Sequence, residues 1–170
     1  MAERDPAPES VFDRLTDTLD PPLLVVTAAD GAERAGCVVG FHSQCSLEPL
    51  RYALWLSTVN RTYRVALRSD YLGIHLLGVD DDGLGRWFGG HTGDEEDSFA
   101  GIGVDPGPGG VPLVRGVPGR FSARRVALLE ADGDHACFVV EAGPDSIGDI
   151  AGSGPLLRVS DLSGIEPGHE

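Results

Sequence analysis

Apolar residues along this chain fall in short runs separated by turn residues, a pattern of many strands and few helices. Leu23 to Ala28 reads Leu-Leu-Val-Val-Thr-Ala, a run without alternation that predicts a buried strand. Ala29-Asp30-Gly31 then supplies a turn of the Asp-Gly type. Ala35 to Phe41 and Tyr52 to Ser57 predict further strands. Leu72, Ile74 and Leu76 alternate with Gly73, His75 and Leu77, which predicts a strand buried largely on one face. Phe121 to Glu130 and His135 to Ala142, joined through Ala131-Asp132-Gly133, form the clearest hairpin, and a last strand is predicted over Pro155 to Val159.

Helical signals are fewer. Asn60 is a good N-cap, and Tyr63, Ala66 and Leu67 recur at helical spacing up to about Ser69. Short helices are predicted over Leu84 to Phe88 and after a cap at Thr92, where Asp94, Glu95 and Glu96 favour a first turn. A parallel α/β sheet needs a helix after nearly every strand, and those helices are missing. The pattern therefore predicts a mainly β barrel or sandwich with helical insertions, one domain over residues 11–162. Segments 1–10 and 163–170, polar and Pro-containing, are predicted to be flexible ends.

Composition narrows the chemistry. The chain has 170 residues, 41% hydrophobic and 24% charged, which is globular rather than disordered. Its 27 acidic against 13 basic residues give a formal charge of −14, which argues against nucleic acid or an anionic membrane as partner. Every basic residue is Arg, so Schiff-base chemistry and Walker-type phosphate binding, which need Lys, drop out. Cys37, Cys45 and Cys137 form no CxxC pair, and no apolar run reaches the length of a membrane span, so the expectation is a cytoplasmic protein without disulfides.

Familiar motifs can be set aside. Gly107-Pro108-Gly109-Gly110 follows no strand and contains Pro, so it predicts a loop and not a dinucleotide fingerprint. Ser153 between Gly152 and Gly154 lacks the G-x-S-x-G frame of a nucleophile elbow. His42, His75, His91, His135 and His169 are scattered, without metal-ligand spacing, so no metal is expected.

Three segments carry more. Gly36 to Leu50 leaves a strand through small and polar residues and ends in Ser46-Leu47-Glu48-Pro49. It reads either as a plain strand exit closed by Pro or as backbone and side chains lining a ligand site. Ser57 to Arg64 gathers hydroxyls and an amide at a predicted helix start, with Arg61, Arg64 and Arg68 at i, i+3 and i+7. That is either an ordinary capped helix with a solvated Arg face or a phosphate site. Gly133-Asp134-His135 opens the second strand of the hairpin.

Taken together with Phe88-Gly89, these segments resemble, in order and spacing over roughly residues 15 to 160, the flavin reductase-like family. These are small FMN-binding split-barrel proteins that often supply reduced flavin to monooxygenases. The resemblance implies a mainly β, Greek-key split β-barrel with short helical insertions, assembled as a homodimer with FMN near the interface. FAD is the alternative flavin, and NADH or NADPH the hydride donor. Gly40, Phe41, His42, Ser43, Gln44, Cys45 and Ser46 would contact the isoalloxazine ring, largely through backbone groups. Ser57, Asn60 and Thr62 would hold the phosphate, with Arg61 as a charged donor beside them. Phe41 and Phe88 are candidate walls for the flat ring, Trp55 being expected in the core. His135 would lie at the nicotinamide or flavin edge as a positioning residue. Arg86, Arg120 or Arg124 would supply a positive path for the anionic nucleotide. Two departures stand out: Gly40-Phe41-His42 where many relatives carry a small polar residue and then Ser-Phe, and Pro49-Leu50 in place of Pro-Pro. The expected function is NAD(P)H-dependent reduction of flavin for a partner monooxygenase. The alternatives are a flavin-binding module without reductase activity, or a split-barrel oxidoreductase using another substrate or a deazaflavin.

Overall fold

The computed structural model describes residues 10–90, 97–152 and 154–165. The helix predicted after Thr92, with Asp94, Glu95, Glu96 and His91, lies outside the described residues, as do Ser153, His169 and all but Ser10 of the first ten.

The element order is α1 (Val11–Leu19), β1 (Leu24–Ala29), β2 (Arg34–Val39), β3 (His42–Leu47), β4 (Leu50–Ser57), α2 (Arg61–Ala66), β5 (Tyr71–Leu76) and α3 (Asp82–Gly90). There follow β6 (Val104–Pro106), β7 (Pro112–Val114), β8 (Gly119–Leu129), β9 (His135–Glu141) and β10 (Gly148–Ile150). Eight strands form one antiparallel sheet in the order β2-β1-β5-β8-β9-β4-β3, with β10 beside β8, while β6 and β7 form a separate ribbon. The sheet curls until β2 touches β4. Inside the curl lie Leu24, Val26, Leu54, Leu56, Leu72, Ile74, Phe138 and Val140, all essentially buried.

A second core explains why β1 shows no alternation. Leu23 and Val25 point the other way from Leu24 and Val26, into a cluster with Leu77, Phe88, Phe99, Val114 and Leu157 under α3 and the segment running into β7. The same cover corrects the one-sided burial expected for β5: His75 and Gly73 are as buried as Leu72 and Ile74. Gly73 is required there by close approach. A Cβ would sit 2.3 Å from Thr27 Oγ1 and 3.1 Å from the Pro112 carbonyl, and the Thr27 hydroxyl donates to that carbonyl at 2.6 Å. Gly73→Ala is expected to cost about 2–3 kcal/mol in chemical denaturation, as overpacking of a closed layer does. An unchanged midpoint would show that β7 can move away freely.

Other expectations need correction. The polar run after Gly40 is not a strand exit: His42 to Leu47 is itself a strand, at the sheet edge, bulged between Gln44 and Ser46 where it pairs with β4. Strand β2 accordingly ends at Val39 and not at Phe41. Pro155 to Val159 is no strand but touches its neighbours through single bridges, Pro22 to Arg158 and Gly78 to Leu156. Pro155 has no N–H to donate, and Leu157 is the anchor, its side chain in the second core. Helix α2 stops at Ala66, three residues short of Ser69, whose hydroxyl donates to the Val65 and Ala29 carbonyls. Gly107 to Gly110 is a loop, tightened into a 3-10 turn between β6 and β7.

Candidate functional site

The sheet register brings the three segments to one end of the barrel. Trp55 N–H donates to the Phe41 carbonyl at 3.0 Å, Ser57 lies opposite His135, and Thr58 N–H donates to the Asp134 carbonyl at 2.9 Å. The β2–β3 bend, the β4–α2 junction and the start of β9 are therefore neighbours. On the outer surface Phe41, 56% exposed, meets the His135 ring edge to face with centroids 5.0 Å apart. Phe41, Ser43, Trp55 and Ala53 share this outer side of β3 and β4, since their neighbours Leu54 and Leu56 point into the core. Being an edge strand, β3 also leaves every second backbone N–H and carbonyl unpaired by the sheet, available to a planar heterocycle.

Gly40 sits in the bend because the chain is crowded there: a Cβ would meet Val159 Cγ2 at 3.0 Å. His42 is fixed rather than free. Its Nε2 donates to the Pro22 carbonyl at 2.7 Å and its Nδ1 accepts from the Tyr52 hydroxyl at 2.6 Å, an arrangement that selects the neutral Nε2–H tautomer. Burial holds its pKa below the ordinary imidazole value. His42 thus clamps the start of β3 to the segment entering β1 and to β4, and leaves its neighbour Phe41 outside. Ser43, Gln44 and Cys45 are exposed along β3, and Ser46 is half-buried. The Ser43 hydroxyl donates to the Gln44 carbonyl and the Gln44 amide to the Ser46 carbonyl, at 3.1 and 3.3 Å.

At the β4–α2 junction the donors divide. The Asn60 Oδ1 accepts from Thr62 N–H at 2.8 Å, capping α2 and leaving its amide NH2 as a donor. Ser57 is 8% exposed. Thr62 is 1% exposed and turned inward, beside the buried Cys37 thiol. Burial pushes that thiol up to about 12, so it is inert. The expected phosphate contact from the Thr62 hydroxyl is therefore corrected to a core contact. With only six residues, α2 also adds little macrodipole, and the charged donors near the junction are Arg61 and Arg64, the latter donating to the Val59 carbonyl at 3.1 Å. Arg61 faces Glu33 at 3.4 Å, and Arg68 is held by both Asp30 and Glu33. The three-Arg face expected from the spacing is thus laced with carboxylates.

Phe88 is likewise corrected. It is 2% exposed, packs against Phe99 at 5.4 Å in the second core, and cannot face a ligand; Trp55, expected in the core, is half-exposed on the outer face. Its neighbour Trp87 lines, with Gly83, Leu84, Ala100, Gly101 and Ile102, a shallow depression of about 290 Å³ beside α3. The arginines expected to guide a nucleotide are all engaged. Arg120 pairs with Asp105 at 2.9 Å and Asp149 at 3.0 Å, Arg124 approaches Glu141 at 3.9 Å, and Arg86 approaches Asp82 at 3.9 Å. His135 Nδ1 is 2.8 Å from Asp134 Oδ1, which lowers the Asp134 pKa and orients the ring with Nε2 outward.

Two features went unread in the sequence. His75 spans β1 and β7, and α1 carries Val11, Phe12, Leu15 and Leu19 exposed on one side. The spacing of those four apolar positions behind the Ser10 capping box was the available signal for the helix.

Comparison with known proteins places this geometry. The model of the flavin reductase like domain matches residues 17–157. Among solved structures, the NADH:FAD oxidoreductase SgcE6 of Streptomyces globisporus superposes with a TM-score of 0.72 at 21% identity, over 86% of this chain and 87% of that one. An FMN-binding protein from Thermus thermophilus, solved with bound 1-cyclohex-2-enone, gives 0.70 at 16% identity, over 89% and 78%. A homologue of nitrilotriacetate monooxygenase component B from Mycobacterium thermoresistibile gives 0.67 at 18%, over 84% and 82%.

Proposed function

This chain belongs to the flavin reductase like domain family, and from that premise we propose that it binds FMN on the outer face of β3 and β4 and reduces flavin with NADH or NADPH. The observation that carries the reading is the Phe41–His135 pair, 5.0 Å apart beside the unpaired edge of β3 and the Asn60–Arg61 donors. This donor set fits the group. Phe41 would offer an aromatic surface, the backbone amides of the β2–β3 bend and the β3 edge from Gly40 to Ser46 would complement the ring's polar edge, and Asn60, Arg61 and Ser57 would hold the phosphate. When bound, FMN supplies the hydride-accepting chemistry, so no protein nucleophile is required. The protein's part is position: His42 fixes the height of Phe41, and Asp134 fixes the ring orientation of His135 for a contact at the nicotinamide or flavin edge.

A second copy of the chain belongs to this reading, as does the Greek-key split-barrel description of the curled sheet. Phe41 in the β2–β3 bend and Leu47, Leu50 and Leu129 on strands are exposed apolar side chains, and α1 adds four more. A homodimer would cover such surface and border the flavin. FMN is preferred over FAD because the β4–α2 junction offers one cluster of arginine and amide donors, enough for one phosphate. The service to a monooxygenase rests on the kind of relatives the chain has.

The test is anaerobic addition of NADH, then NADPH, to FMN-loaded protein while flavin absorbance is followed. The expected result is bleaching with one of the two nucleotides at least a hundredfold faster than with free FMN. Bound flavin that stays oxidised with both would leave a binding module in place of a reductase.

A further inference from the structure

Six charged side chains alternate in sign across the outside of the fold beside the proposed phosphate donors. Asp97 holds Arg34, with Nε 3.1 Å from Oδ1, and its carboxyl also feels Arg61. Arg61 faces Glu33 at 3.4 Å, Glu33 holds Arg68, and Arg68 holds Asp30. The chain links the β1–β2 turn, α2 and the segment entering the second core. Three arginines and three carboxylates sum to no net charge, which offsets Arg61 and Arg68 of the Arg61, Arg64 and Arg68 cluster expected at this end.

Of the two carboxylates on Arg68, Glu33 is the one placed to move: its side chain is 45% exposed, that of Asp30 15%. Asp97 is as exposed, at 45%, but it pairs with Arg34 and not with Arg68. The turn itself is held by backbone groups and Asp30: Asp30 N–H donates to the Glu33 carbonyl and Glu33 N–H to Asp30 Oδ1, both at 3.1 Å. The Glu33 carboxylate is therefore dispensable to the turn. It presents two oxygens to two guanidinium groups, the pattern a phosphate also presents.

We propose that Glu33 is a built-in competitor for the ligand's phosphate, holding Arg61 and Arg68 until a phosphate displaces it, and so a residue that sets how strongly the site discriminates FMN from riboflavin. The inference rests on the reading of Asn60 and Arg61 as the phosphate end of the site. Exchange of one anion for another keeps the local charge from swinging by two units on binding. It also makes phosphate recognition weaker and less salt-dependent than an open pair of arginines would give.

The experiment is titration of FMN and of riboflavin into wild type, Glu33→Gln and Asp105→Asn at two salt concentrations, followed by quenching of flavin fluorescence. Asp105→Asn makes the same change in total charge on the β6–β7 ribbon, where Asp105 pairs with Arg115 and Arg120. Glu33→Gln is expected to tighten FMN roughly three- to tenfold, with riboflavin within twofold of wild type and a steeper loss of FMN affinity with salt. Asp105→Asn is expected to leave the FMN-to-riboflavin ratio where it was. A ratio unmoved in Glu33→Gln, or moved equally in Asp105→Asn, overturns the proposal while flavin binding stands. Wild-type protein that takes up neither flavin overturns the functional reading and this proposal together.

Discussion

Replacing His75 with Ala lowers the stability of the fold by about 3–5 kcal/mol, the cost of a core cavity together with two buried polar groups left unpaired. The imidazole is fully buried in β5. Its Nδ1 donates to the Val25 carbonyl of β1 at 2.9 Å, and its Nε2 accepts from Val114 N–H of β7 at 2.9 Å. One side chain thus pins the second core onto the sheet, and only the neutral ring fits, because a proton on Nε2 would face an N–H donor. Burial, with Arg120 nearby, lowers the pKa to about 4 from 6.5. The unfolded chain therefore binds the proton first as pH falls, so this contribution is complete above pH 6.5 and is lost on descent towards pH 4. Between pH 7 and 4.5 the loss amounts to about 2–3 kcal/mol. His42, also held below its ordinary value, titrates in the same direction. The carboxylates of Asp20, Asp30, Asp97 and Asp105 are held low by their partners and add their losses only below that window. Urea denaturation of wild type and His75→Ala at pH 7, 5.5 and 4.5 separates the effects. A wild-type stability that stays flat over this range would mean that the ring is hydrated or can turn over in the folded state.

His75 also marks where sequence reading stopped. Strands β1, β5, β8 and β9 were legible because runs such as Leu-Leu-Val-Val and the Asp-Gly turns are local signals. The second core was not, because Val25, Gly73, His75 and Val114 come together only when residues 97 to 118 fold back over the sheet. Nothing in the spacing of a lone His inside an apolar strand reveals that its two nitrogens have partners on two other strands. Strand β3 failed for the opposite reason. An edge strand buries little, so His-Ser-Gln-Cys-Ser carries no hydrophobic period, and its pairing with β4 is made by backbone groups and the His42–Tyr52 hydrogen bond. At the candidate site, the Gly-Asp-His triplet and the Phe41 segment were legible as motifs. The direction of the Thr62 hydroxyl and the pairing of Arg68 with Asp30 and Glu33 were not, because both depend on how α2 docks against β2 and the β1–β2 turn.

The two phenylalanines offered by the sequence as ring walls give the sharpest test of that distinction. Phe41→Ala is expected to weaken FMN and riboflavin alike by roughly 10- to 100-fold, the range for loss of one aromatic face against a stacked heterocycle. Its thermal midpoint should stay within a degree or two, since the side chain is 56% exposed and takes no part in either core. Phe88→Ala should do the reverse. At 2% exposure, in contact with Phe99 and under the Gly36 backbone, its loss opens a cavity worth about 3–5 kcal/mol. The flavin affinity of the fraction that remains folded should change less than threefold. The comparison needs only equilibrium titration and a melting curve on each variant. If Phe88→Ala lost flavin at full stability, the ligand would sit on the α3 side of the barrel. If Phe41→Ala kept wild-type affinity, the Phe41–His135 face would serve contact with a second chain and not flavin. A loss of affinity in Phe41→Ala alone ties flavin to the outer face of β3 and β4, where the exposed Phe41 ring has His135 as its one aromatic partner among the described residues.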